Sequence, residues 1–386
     1  MTGKFDSIRH FTPEESFAAQ EEVFHNETFT QALKTLNMGM TAEGLLRDRH
    51  TFGSHYIFQR EFAGRFLQYY SDKTATHVHY SGLENVTPDR PQLFIANHRD
   101  IIMDAAYVQL YFFNNNINTT KIAIGDNLVS TPLLLNIAKM NKMFIVKRSS
   151  SLREKILNSR ELSEYIHVSM ADEHESVWIA QRNGRTKDGI DHTQQGLLKM
   201  LTYFDEGHDV LETLHDMRIT PVTISYEYEP CDSLKARELA LSENQKYIKQ
   251  PDEDFNSVCQ GIFGFKGEVN LVIGKCIDEE FAQIPGDLRK NDKLTALGKI
   301  IDQQIYANYK LYATNYIAYD YLEKCQKFAD HYTEKQREDF LQYIDRQSIT
   351  KDVDPTKMKS YLLQIYSNSV KTHYGLELSH TEENDW

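Results

Sequence analysis

The sequence predicts an α/β fold: a mostly parallel central sheet flanked by helices, with helical N- and C-terminal extensions. Three observations carry that expectation. Short apolar runs of strand length recur through the middle of the chain, helical segments separate them, and both ends show helical periodicity.

Residues 1 to about 75 read as helical. Thr12-Pro13-Glu14-Glu15 is a start signal: a capping hydroxyl, proline at the first helical position, then acids in the first turn. The period then changes. Leu93–Ala96, Met143–Val146 and Val177–Ala180 each have the length of a buried strand. Segments with helical character, Asp104–Phe113 and Ser151–Val168, lie between them. A fourth run, Ile219–Tyr226, precedes the turn-like Glu229-Pro230-Cys231-Asp232, and a fifth, Val269–Ile273, sits between glycines. From about residue 296 the chain turns helical again. There Tyr306, Tyr309, Tyr312, Tyr316 and Tyr319 fall on one helical stripe. Asp354-Pro355 is a second helix start and Gly375 a stop. With no internal repeat and no low-complexity linker, one compact unit is expected. It comprises a helical N-terminal segment (1–78), an α/β domain (79–295) and a helical C-terminal segment packed on the core (296–386).

The chain has 386 residues, enough to bury a substantial core. Lys plus Arg number 43 against 56 Asp plus Glu, for a net charge of −13, which argues against a nucleic-acid binder. Cys231, Cys259, Cys276 and Cys325 are widely spaced, which argues against a disulfide framework or a zinc site and fits a reducing cytoplasm. The first residues, MTGKFDSIRHFTPEE, lack the apolar stretch of a signal peptide. No window approaches the roughly 18 uninterrupted apolar residues of a membrane span. Contact with a membrane surface stays open.

The most informative stretch is Phe94-Ile95-Ala96-Asn97-His98-Arg99-Asp100-Ile101-Ile102-Met103-Asp104. An apolar strand ends in four polar residues, and an apolar helical segment follows. Polar groups at that edge of an α/β sheet lie where such folds place ligands. A histidine there is a general base near neutral pH, and a nearby carboxylate fixes its tautomer. The residues alone equally allow a solvated loop histidine and a helix-capping Asp. His98-Arg99-Asp100 also looks like a kinase catalytic loop, but the required Asn is Ala105 and no Gly-rich nucleotide loop exists. Gly261-x-x-Gly264-x-x-Gly267 leads into a strand, so it makes a poor phosphate cradle.

Cationic clusters follow the strands. Lys147-Arg148-Ser149 closes the second run, and Arg182-Asn183-Gly184-Arg185-Thr186-Lys187 follows the third. On a parallel sheet they would converge at one edge, where Arg and Lys suit an anionic substrate.

Together these segments resemble the glycerolipid acyltransferase family, which includes glycerol-3-phosphate and lysophosphatidic acid acyltransferases. That family carries Asn-His followed shortly by Asp, an apolar strand ending in Arg, a Gly- and Arg-containing loop, and an apolar strand with Pro. The matching segments are Asn97-His98…Asp104, Phe144–Arg148, Asn183–Lys187 and Pro221–Tyr226, over roughly residues 80 to 280. Two departures stand out. Five residues separate His98 from Asp104 where the family usually has four, so Asp100 is a rival carboxylate. The third block's glutamate is replaced by Arg182 or Gln181, which leaves the acceptor open.

The resemblance implies acyl transfer from a thioester, acyl-coenzyme A or acyl carrier protein, to a hydroxyl of a phosphorylated or lipid acceptor. Glycerol-3-phosphate or a lysophospholipid comes first, and an amino-acid lipid is an alternative. A non-catalytic lipid-binding relative is the competing class. His98 would be the base and Asp104 its partner. Lys147, Arg148, Arg185 and Lys187 would bind phosphate. Asn97, Arg99, Asn183, Gly184 and Pro221 would position substrate. No metal or other cofactor is implied, and the expected place is the cytoplasmic side of a membrane, held peripherally. Met103, Tyr107, Leu110 and Phe113, at helical spacing, read as core before acyl-chain lining, as does the tyrosine stripe.

Overall fold

The computed structural model describes residues 3–36, 39–48, 58–148, 151–243 and 247–378. The N-terminal helices are α1 (Pro13–His25), α2 (Glu27–Leu36), α3 (Ala42–Asp48) and α4 (Arg65–Thr74). Thr12 and Glu15 form a reciprocal capping box at the start of α1, which is why that helix begins where the sequence places it.

The central sheet contains β1 (Ala75–Ser81), β2 (Leu93–Ala96), β3 (Lys121–Gly125), β4 (Met143–Val146), β5 (Val177–Ala180), β6 (Ile219–Tyr226) and β7 (Gly267–Ile273). Their order is β1-β7-β6-β2-β5-β3-β4. Every neighbouring pair is parallel except β6 with β7. The sheet is therefore mixed but mostly parallel. Helices α5 (Met103–Asn114), α6 (Pro132–Met140), α7 (Leu152–Ala171), α8 (Gln195–Leu201), α9 (Val210–His215), α10 (Asp232–Ser242) and α11 (Glu253–Phe263) intervene. The chain then continues through α12 (Lys290–Ala307), α13 (Ala313–Leu322), α14 (Glu334–Gln347) and α15 (Pro355–His373).

Two apolar layers sandwich the sheet. Leu93 and Ile95 of β2 pack with α7, α8, α9 and α12, whereas Phe94 and Ala96 pack with Met103, Tyr107 and Leu110 of α5. This is the alternation of a strand buried on both faces. A third apolar cluster joins α10 to α13, α14 and α15. The backbone N–H of Ile145 on the edge strand β4 donates to the carbonyl of Ile8 at 2.9 Å, so the N-terminal segment helps cover that edge.

Two strands and one helix depart from the sequence expectations. β1 starts at Ala75, inside the segment expected to be helical, because its half-buried residues pair with β7 across the sheet. β3 opens on Lys121, whose buried amine donates to Ser169 at 2.9 Å and pairs with Glu173, so a strand begins on a charge. The tyrosine stripe is split between α12 and α13. The hydroxyl of Tyr309 turns in to Asp191 at 2.6 Å, and the N–H of Lys310 donates to Ser225 at 3.2 Å, which takes the chain off the helical path. Tyr309, Tyr312, Tyr316 and Tyr319 are all buried, so they pack the interior.

Candidate active site

β2 delivers Asn97, His98 and Arg99 to the C-terminal edge of the sheet, and the alternation of the strand continues into the loop. Asn97 and Arg99 point to the layer of α12, while His98 lies on the other side against Trp178, with ring centroids 5.9 Å apart. The Nδ1 of His98 is 2.9 Å from the carboxylate of Asp104 on the first turn of α5. That carboxylate also accepts from the N–H groups of Arg99 (2.6 Å) and Asp100 (2.8 Å) and from the hydroxyl of Tyr226 (2.6 Å). The N-terminus of α5 favours the negative charge as well. With its partner an acceptor, neutral His98 carries its proton on Nδ1, leaving Nε2 to take one from a substrate. The side chain of His98 keeps 13% of its surface accessible, against 1% for Asp104.

Asp100 takes a different part. One of its oxygens accepts from the N–H groups of Ile102 (2.9 Å) and Met103 (2.7 Å), capping α5. The other is buried without a hydrogen-bond partner among the described residues. Burial, then the nearby Asp104 charge, raises its pKa. Gly261 on α11 is fitted to it, since a Cβ there would stand 1.9 Å from that second oxygen. The carboxylate bonded to His98 is thus Asp104.

Asn97 and Arg99, expected to position substrate, are both buried, and their side chains bond within the protein. The amide of Asn97 donates to Asp191 (2.8 Å) and to the carbonyl of Ile224 (3.0 Å), and accepts from the N–H of Ile224 (2.8 Å). The guanidinium of Arg99 donates to Asp191 (2.8 to 3.1 Å), Glu229 (3.0 Å), the carbonyl of Gly189 (3.2 Å) and Ser369 of α15 (3.2 Å). Burial pushes the carboxyl of Asp191 up, but Arg99 overcomes that and holds it below the ordinary carboxylate value. Lys235 joins the cluster, donating to Glu229 (2.6 Å) and to the carbonyl of Arg99 (2.7 Å). Pro221 lies within the sheet opposite Ile95, and its carbonyl accepts from the N–H of Gly274 at 2.8 Å.

The cations divide. Lys147 donates to Ser7 (2.9 Å) and Glu161 (2.9 Å), and Lys187 pairs with Glu238, so both are committed within the protein. Burial lowers the pKa of Lys187. Arg148 is exposed at the rim, 3.4 Å from the amide oxygen of Asn183, which together with Gly184 forms an exposed loop tip. Arg185 reaches inward to a cleft that also contains Arg237, Lys249, Glu238, Glu253 and Asp254. Its Nη1 is buried with no hydrogen-bond partner among the described residues, as is the Nε of Arg182. The same loop is tied to the histidine, for the N–H of Thr186 donates to the carbonyl of His98 at 2.7 Å.

Sequence reasoning missed Tyr226 and the cluster built on Asp191, Glu229 and Lys235. A hydroxyl closing the fourth apolar run was the available signal for Tyr226. Nothing local marks the cluster, whose contacts to Arg99 span 92, 130 and 136 residues.

A histidine hydrogen-bonded to a buried carboxylate thus stands near cations at one edge of the mostly parallel sheet. Residues 77–225 match the family model described as Acyltransferase. The chain therefore carries an acyltransferase domain over residues 77–225. A search of curated proteins finds no match. Among solved structures, the chain is similar to the 1-acyl-sn-glycerophosphate (LPA) acyltransferase PlsC from Thermotoga maritima, at 12% identity and a TM-score of 0.34. The alignment covers 76% of this chain and 97% of that one. A likeness at that level adds nothing to the family match.

Proposed function

We propose that this protein moves a fatty acyl group from a thioester to a hydroxyl of a phosphorylated or lipid acceptor in membrane lipid synthesis. Glycerol-3-phosphate or a lysophospholipid is the first choice of acceptor. The observation that carries this reading is the His98–Asp104 pair within the matched domain, its carboxylate fixed by three further donors. Nε2 of His98 takes the hydroxyl proton as the acceptor oxygen attacks the thioester carbonyl. The C–S bond then breaks, the thiolate leaves, and the imidazolium returns the proton to it. Asp104 stabilises the imidazolium in between. Arg148 and Arg185 are the cations left to bind an acceptor phosphate, Arg185 through the unpartnered Nη1. The donor is acyl-coenzyme A or acyl carrier protein, no metal or other cofactor is used, and the protein works at the cytoplasmic face of a membrane.

A second reading keeps the chemistry and changes the acceptor to an amino-acid lipid. Thiol release from acyl-coenzyme A, with glycerol-3-phosphate or with a lyso-amino-acid lipid, decides between the two. Acceptor-dependent release that falls on the order of 10²- to 10⁴-fold in His98→Ala supports acyl transfer. Release that ignores both acceptors and persists in the variant overturns it.

A further inference from the structure

The C-terminal helix α15 lies outside residues 77–225, the stretch that matches the family model, yet it reaches the loops of the site. Its buried residues from Met358 to Tyr366 are apolar. Ser367-Asn368-Ser369 then interrupts the pattern, with all three side chains buried. Serine and asparagine are poor helix formers, and here they take the place of apolar packing. The hydroxyl of Ser367 and the amide oxygen of Asn368 are buried without hydrogen-bond partners among the described residues. A helix that keeps orphaned polar atoms in its middle serves something besides its own stability.

What it serves is the loop after β5. The amide nitrogen of Asn368 donates to the carbonyl of Asp188 at 2.8 Å. One residue on, Gly189 (φ +81°) is pressed so closely on α15 that a Cβ would stand 2.0 Å from the carbonyl oxygen of Ile365. The hydroxyl of Ser369 accepts from Arg99 at 3.2 Å, and the same guanidinium nitrogen donates to the carbonyl of Gly189 at 3.2 Å. At the other end of the loop, the N–H of Thr186 donates to the carbonyl of His98 at 2.7 Å. The span from Arg185 to Asp191 is thus held between the histidine and α15. Arg185 stands at its start, and its charge reaches Asp100, two residues after His98.

We propose that α15 is a positioning element of the acyltransferase site and that Asn368 is its positioning residue. Held by its donor alone, the Asn368 amide fixes the loop that presents the Arg185 guanidinium to an acceptor phosphate at a set distance from His98. A loop that carries a binding cation costs affinity if the ligand has to order it, and ordering by α15 in advance removes that cost. This rests on the acyltransferase reading. It makes the C-terminal segment part of the reacting unit, although α15 itself touches no substrate.

Asn368→Ala removes the donor, and Asn368→Leu removes it with little change of volume. Both should fold with thermal midpoints close to the parent's, because the carbonyl of the half-buried Asp188 can turn to water. In thiol release from acyl-coenzyme A, each should raise the KM of glycerol-3-phosphate about three- to tenfold, the range of one lost hydrogen bond. The KM of the donor should change little. In an Arg185→Ala background the same substitutions should add nothing further, since the effect runs through Arg185. An unchanged acceptor KM overturns the proposal, as does an equal fold-loss in both backgrounds. So does a loss shared by kcat and both KM values, or the unfolding of both variants, which is what a merely structural residue gives. If the parent turns over no acceptor, the same cycle is read as glycerol-3-phosphate binding by calorimetry. Coupled weakening there sustains the positioning role while the acyltransfer reading fails, and a parent that binds no glycerol-3-phosphate overturns both.

Discussion

His98 and Arg99 are neighbours in the chain that face opposite layers of the molecule. His98 commits one ring nitrogen to Asp104 and keeps an accessible edge. Arg99 is enclosed and spends its guanidinium on Asp191, Glu229, Gly189 and Ser369. The contrast separates chemistry from scaffold. A group that performs a reaction needs valence left over, whereas a buried charge persists only when its valence is filled. The alternation of an extended strand is what lets adjacent residues do both.

The contrast breaks first at the buried charge. Arg99→Met leaves Asp191 unpaired in the interior and should destabilise the protein by roughly 3 to 5 kcal/mol in urea unfolding. His98→Ala should leave that stability nearly untouched while removing turnover. If Arg99→Met proved stable but inactive, the division drawn between the two residues would be wrong. A finer test is Tyr226→Phe, which deletes one hydrogen bond to the carboxylate of Asp104 and keeps the ring. Bonds to charged groups contribute about 1.5 to 3 kcal/mol, so a fall of roughly tenfold in kcat with little change in KM is expected. A larger rise in KM than fall in kcat would place Tyr226 against substrate instead.

A pH-dependent effect concerns Asp302 on α12, which accepts from the N–H (2.8 Å) and hydroxyl (2.6 Å) of Thr193, two residues after Asp191. Burial raises its pKa from the ordinary 3.8 to about 7. The unfolded chain ionises this carboxyl near its ordinary value and the folded protein only near the higher one. Stability present below the ordinary value is therefore lost as pH rises towards 7. Urea midpoints across that window should fall in the parent and fall less in Asp302→Asn. Parallel slopes would remove Asp302 as the cause.

Five strands were legible in the sequence: four uninterrupted apolar runs, and Val269–Ile273 within β7, which alternates buried and half-buried residues. Leu93–Ala96, Met143–Val146, Val177–Ala180 and Ile219–Tyr226 coincide with β2, β4, β5 and β6, since uninterrupted apolar runs have few other places to go. β1 and β3 escaped because polar residues dilute their patterns: the histidines of the first, the lysine that opens the second. An abrupt change of polarity at a strand end marked His98 as a candidate, and the resemblance implied its pairing with Asp104. Rejection of Asp100 was not legible, because it depends on the turn that uses Asp100 to cap α5.

By itself the sequence determined the fold class, the helix starts at Thr12 and Asp354, and the histidine at the edge of the sheet. These follow from local patterns of polarity and from caps within a few residues. Tertiary structure alone decided the strand order, the reversal of β7 against β6, and which cations remain available. Lys147 and Lys187 resemble Arg148 and Arg185 on paper, and only distant partners, Glu161 and Glu238, set them apart. The reason is physical: the availability of a charge depends on what lies beside it in space, and a chain brings its neighbours from far along its length.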